Sequence, residues 1–217
     1  MSVSAQTVKE LRDKTGAGMM DCKKALAECA GDMEKAIDFL RKKGLKDVGK
    51  RSGKVAAEGV IYSYIHGGGR IGVMLELNCE TDFVARGDDF QELAKLIAMH
   101  VAWANPRFIS REDVTADVIE REKDIFRAQL KPGQEAMAEK ILTGRLDKFY
   151  QENCLLEQLD AKDANAKKRI GDLVNEVSAK VGEKITLRRM SRYEVGEGIE
   201  KVVANYAEEV AAAAGLN

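Results

Sequence analysis

Three observations predict an α+β fold. Apolar residues recur at helical spacing through roughly the first 43 residues. The period then drops to two between Val60 and Leu77, on both sides of a glycine triplet. Helical spacing returns further on and is followed by a late run of β-branched residues. Helices after a short antiparallel sheet define an α+β core.

The opening segment reads as three short helices. Ser4 caps the first, in which Val8 and Leu11 share a face, and Thr15-Gly16-Ala17-Gly18 ends it. The second holds Met19, Met20, Cys22, Ala25, Leu26 and Cys29 before Ala30-Gly31 breaks it. Asp32 caps the third, where Met33, Ala36, Ile37 and Leu40 are at helical spacing. Gly44 stands where a C-terminal cap is expected, which bounds a mini-domain over residues 1–44. Residues 45–55 are polar, with Lys46, Lys50, Arg51 and Lys54 close together, and read as an exposed basic linker.

Residues 56–199 form the expected core. Val60, Tyr62 and Tyr64 alternate with Ile61, Ser63 and Ile65; Gly67-Gly68-Gly69 turns the chain; Ile71, Val73, Leu75 and Leu77 complete a β-hairpin. Asp88 and Gln91 form a cap-like pair ahead of a helical stripe of Phe90, Leu93, Ala94, Ile97 and Val101. Residues 117–182 are expected as three helical pieces, broken near Lys131-Pro132-Gly133 and around Leu159 to Ala164. The last piece puts Ile170, Leu173, Val174, Val177 and Val181 on one face. Glu183 to Glu194 reads as a strand, and residues 200–217 as a C-terminal helix.

Composition narrows the function classes. Hydrophobic content of 45% and charged content of 33% suit a folded chain. A net charge of -1 lacks the electrostatic excess of a typical nucleic-acid binder. No apolar run approaches the ~20 residues of a membrane span, and Met1 to Glu10 has no secretory signal core. Cys22, Cys29, Cys79 and Cys154 include no CxxC pair, so reduced, mostly buried thiols in a cytoplasm are expected rather than a metal site.

The search for chemistry returns no catalytic set, so an enzyme is not expected. There is no GxxxxGK[ST] motif, and the glycine triplet lies in a hairpin rather than at a helix start, so direct nucleotide binding is not expected. His66 and His100 lack a Ser or Cys partner in a nucleophile motif and read as structural or surface residues. Trp103 reads as a core or interface anchor.

Three features stand apart. The basic charge of the linker, at Lys46, Lys50, Arg51 and Lys54, reads by default as a solvated tether, since no interleaved aromatic residues support RNA contact. Met19 and Met20 follow a glycine-rich turn; adjacent methionines cannot both enter a small core, so one should be partly exposed. Thr81-Asp82-Phe83-Val84 lies in a connection between strand and helix, where functional residues collect. The ordinary account of that segment is core filling by Phe83 and capping by Asp82.

At these residues the sequence resembles the elongation factor Ts family. The resemblance is carried by Leu11-Arg12-Asp13-Lys14-Thr15-Gly16-Ala17-Gly18-Met19-Met20-Asp21-Cys22-Lys23-Lys24-Ala25-Leu26 and by Glu76-Leu77-Asn78-Cys79-Glu80-Thr81-Asp82-Phe83-Val84-Ala85-Arg86. Shorter similarities lie around Gly144-Arg145-Leu146, Cys154 to Gln158, and Arg192 to Gly198. The resemblance implies an N-terminal ubiquitin-associated-type three-helix domain and an α+β core of dimerisation type. It also implies a partner, the GTPase elongation factor Tu, held in a nucleotide-free complex, and no cofactor. By the same resemblance, Thr81, Asp82, Phe83 and Val84 disturb the partner's magnesium site, and Arg12, Met19 and Met20 dock on its nucleotide domain. Leu159-Asp160 departs from the Pro-Phe often found there, and the chain is shorter than the long members. A reduced core could act as a homodimer within a 2:2 complex.

Overall fold

The computed structural model describes residues 3–51, 53–133, 137–162 and 168–200. The expected C-terminal helix, apart from Glu200, lies outside the described residues. Among these, eight α-helices and three strands alternate as helices, hairpin, helices, strand.

Helices α1 (Ala5–Thr15), α2 (Met19–Glu28) and α3 (Met33–Arg51) surround a small core of Val8, Leu11, Cys22, Ala25, Leu26, Ala36 and Leu40. Ser4 accepts from Thr7 N at 3.1 Å and Asp32 from Lys35 N at 3.1 Å, so both expected caps form. Ala30 and Gly31 take positive φ between α2 and α3.

Helix α3 does not stop at Gly44. It runs on to Arg51, so most of the stretch expected as linker is helical. A glycine inside a helix costs about 1 kcal/mol against alanine, but here it permits close packing. A Cβ on Gly44 would lie 3.0 Å from the Ala179 methyl of α8 (Ile170–Val181). Arg51 then donates to Ser178 O at 3.3 Å, tying the far end of α3 to the same helix.

The sheet has the order β1-β2-β3 and is antiparallel throughout: β1 (Glu58–His66), β2 (Ile71–Cys79) and β3 (Thr186–Glu194). The hairpin register pairs His66 with Ile71 and Tyr62 with Leu75. Its inner face presents Val73, Leu75, Leu77 and Leu187 to α5 (Asp88–Ala104) and α8, with Phe90, Ile97, Val101 and Ile170 as the main fillers. Its outer face carries Ile61, Ile65, Met74 and Tyr193, all exposed.

The N-cap of α5 is Gly87 rather than Asp88, and Gln91 donates to Ala85 O at 2.6 Å instead of closing a capping box. Asp88 is therefore the first helical residue, where its charge still favours the helix N-terminus. Helices α6 (Ala116–Ala128) and α7 (Ala138–Asn153) form a side arm over Val114, Phe149 and Cys154. Trp103 is 73% exposed at the end of α5 and is no part of the core.

Candidate functional site

The Thr-Asp-Phe-Val segment becomes a single helical turn, α4 (Asp82–Ala85), directly after β2. Thr81, not Asp82, is its N-cap, with Oγ1 accepting from Val84 N at 3.5 Å. Asp82 occupies the first turn and pairs with Arg86 at 2.9 Å. Ala85 is buried and Val84 packs on the core, which turns Phe83 outward. Phe83 is 86% exposed, so it fills no core. The local reason is the cap: once Thr81 fixes the turn, Phe83 and Val84 lie on different faces, and only one can meet α5 and the sheet.

Residues that local pattern did not point to hold this turn. Glu183, in the connection from α8 to β3, accepts at Oε2 from Glu80 N at 3.1 Å and Thr81 N at 3.0 Å. Its Oε1 accepts from Thr81 Oγ1 at 2.6 Å. In return, Glu80 Oε1 accepts from Lys184 N at 2.8 Å, and Lys54 Nζ meets Glu80 Oε2 at 2.6 Å. The Lys54 hydrogen bond, helped by the Lys184 amide, holds the Glu80 carboxyl below its ordinary range. Cys79 closes the underside, its thiol donating to Thr81 O at 3.1 Å, and burial pushes that thiol up to about 11. The only advance signal for Glu183 was a charged residue opening an expected strand; the contact spans 102 positions.

The second candidate set lies on the α1–α2 turn. Gly16 ends α1 at φ 67°, and Thr15 Oγ1 donates to Leu11 O at 2.7 Å while accepting from Ala17 N at 3.3 Å. This short turn starts α2 with both methionines outward, Met19 at 51% and Met20 at 74% exposure. Arg12 is exposed on α1.

One side chain connects the two sets. Lys180 of α8 runs beneath Gly16, where a Cβ would come 2.8 Å from Lys180 Cε. Its ammonium reaches Asp89 at 2.6 Å in the first turn of α5, just beyond α4. A groove of about 550 Å³ lies between the first helices and α8; the Arg41–Glu176 pair crosses it, and the Lys43–Asp21 pair lines its N-terminal wall.

The two histidines have local partners. His100 is buried with Nε2 at 3.0 Å from Gln158 Oε1, and burial lowers its pKa. His66 Nδ1 sits 2.9 Å from the Tyr64 hydroxyl. All four cysteines are free, with Cys29 the least covered. No group of three metal-ligating side chains occurs among the described residues, and none of their helices is long and apolar enough to cross a membrane.

In class this is an α+β protein whose distinctive apolar groups are held on its surface by caps and a carboxylate clasp. The family model for Elongation factor TS matches residues 22–167. Elongation factor Ts of Desulforamulus reducens is 60% identical over 212 residues, 97% of both chains. That of Moorella thermoacetica is 60% identical over 199 residues, 91% of this chain and 97% of its own. That of Geobacter metallireducens is 55% identical over 218 residues, the full length of both. The chain belongs to the elongation factor Ts family, a family of translation factors.

Proposed function

We propose that the chain is a guanine-nucleotide exchange factor for elongation factor Tu, acting without catalytic chemistry of its own. The observation that carries the reading is Phe83, 86% exposed on a turn whose neighbours Val84 and Ala85 pack inward. An aromatic ring held in water on a capped turn is suited to enter a partner's pocket.

The partner would hold GDP through magnesium and its phosphate loop. Accelerating release about ten-thousandfold requires about 5.5 kcal/mol. Burying Phe83 supplies ~1.5–3 kcal/mol. The balance comes from Arg12, Met19 and Met20, through contacts stronger in the nucleotide-free state. Asp82, already paired with exposed Arg86, perturbs the magnesium shell electrostatically.

A binder indifferent to the two states would shift nothing. Linkage is reciprocal, so GDP weakens the grip of this chain by the same factor. The exposed Ile61, Ile65, Met74 and Tyr193 on the outer sheet face support pairing of two copies, giving a 2:2 complex in the cytoplasm.

The test is stopped-flow release of a fluorescent GDP from elongation factor Tu. Acceleration that saturates with added chain is the expected result. A folded chain that leaves the release rate unchanged overturns the reading.

A further inference from the structure

We propose that Glu183 is a positioning residue for Phe83, an inference that rests on the exchange reading above. A helix of four residues has too few internal hydrogen bonds to persist alone. Phe83 cannot anchor it, because its ring is almost wholly in water. The orientation of α4 therefore rests on the inward packing of Val84 and Ala85 and on what holds its N-terminal end.

Glu183 holds that end with both carboxylate oxygens. Three donors converge on it: the amides of Glu80 and Thr81 and the Thr81 hydroxyl, at 3.1, 3.0 and 2.6 Å. The hydroxyl contact has a second consequence. Because Thr81 Oγ1 gives its proton to Glu183, its lone pairs face the Val84 amide that it caps. Glu183 thus sets the rotamer of the capping residue as well as the backbone before it.

The same junction reaches the N-terminal helices. Lys54, three residues past the end of α3, pairs with Glu80 at 2.6 Å, and Lys184 Nζ donates to Lys54 O at 2.9 Å. The end of α3 and the start of α4 are thereby fixed to one point. A surface set in its bound arrangement loses less freedom on binding than one that must be ordered.

The experiment is a double-mutant cycle in stopped-flow GDP release from elongation factor Tu at saturating full-length chain. Glu183→Ala slows saturated release about tenfold, the equivalent of about 1.4 kcal/mol. In a Phe83→Ala background the same change has less than about twofold effect, since nothing remains to be positioned. A merely structural role would lower the melting temperature without this dependence on Phe83. Glu183→Gln, which keeps one acceptor oxygen, falls between, and its Thr81 and Val84 amides exchange with deuterium faster than in the parent; it carries the test if Glu183→Ala does not fold. Normal release by a folded Glu183 variant, or effects that multiply with Phe83→Ala, overturns the positioning role alone. A parent chain without any exchange activity overturns both readings.

Discussion

Replacing Phe83 by alanine separates binding from folding. The ring is 86% exposed and its neighbours Val84 and Ala85 supply the packing of α4. Its removal from the free protein should therefore alter stability by no more than about 0.5 kcal/mol, the usual range for a surface site. In the proposed complex the ring is buried, and its loss forfeits ~1.5–3 kcal/mol of apolar transfer. At about 1.4 kcal/mol per decade, GDP release at fixed chain concentration slows about ten- to a hundredfold. The assay pairs stopped-flow nucleotide release with a thermal melt of the same preparation. A variant that melts like the parent and releases GDP at the parent rate would refute the wedge. A variant that melts much earlier would refute the packing account of α4 instead.

Three further outcomes follow from the geometry. Gly16→Ala should destabilise the chain by about 1–2 kcal/mol in urea unfolding, because an L-residue is placed at φ 67°; an unchanged midpoint would show that the turn relaxes. Glu157 is held below its ordinary carboxyl range, first by the Arg111 side-chain hydrogen bond and then by the charges of Arg111 and Arg169. A depressed folded-state value favours the ionised form, so its contribution is full above the ordinary carboxyl range. It is lost as pH falls through that range and through the folded value, and Glu157→Gln should flatten this acid limb of stability against pH. Burial pushes the Cys79 and Cys154 thiols up to about 11. A chromogenic disulfide reagent at pH 8 should therefore react first with the partly exposed Cys29, and with Cys79 and Cys154 only on unfolding.

Much of the fold is legible in the sequence because local and global preferences agree there. Ser4 and Asp32 stand at helix starts with no competing role, and both cap. In the period-two run around Gly67 to Gly69, burial of the Val73, Leu75 and Leu77 face excludes one-residue slips, and the glycine turn closing at His66 and Ile71 sets the register. Gly44 misleads because a glycine after a periodic segment usually marks a left-handed cap. Here its missing side chain is used instead for the approach of α3 to Ala179, a contact between segments far apart in the chain. Asp88 misleads by one position, since a glycine just before it serves as the cap without a side-chain hydrogen bond.

The candidate site is legible in a different way. That Thr81 to Val84 are candidate residues can be read from their place in a connection and from the family resemblance, but neither says which side chain faces water. Local pattern favours Phe83 in the core, because an isolated phenylalanine beside a strand is most cheaply buried. What reverses this is a distant carboxylate: Glu183 fixes the cap, the cap fixes the turn, and the turn gives the core to Val84 and Ala85. A solvent-facing aromatic of this kind adds no packing to the free chain, so the fold must hold its turn by other contacts. Cys79 does so from beneath and Glu183 from the end of α8. The groups that impose this arrangement lie about a hundred residues apart, which is why sequence spacing reveals the exposed residue only through the company it keeps, and the structure reveals what keeps it exposed.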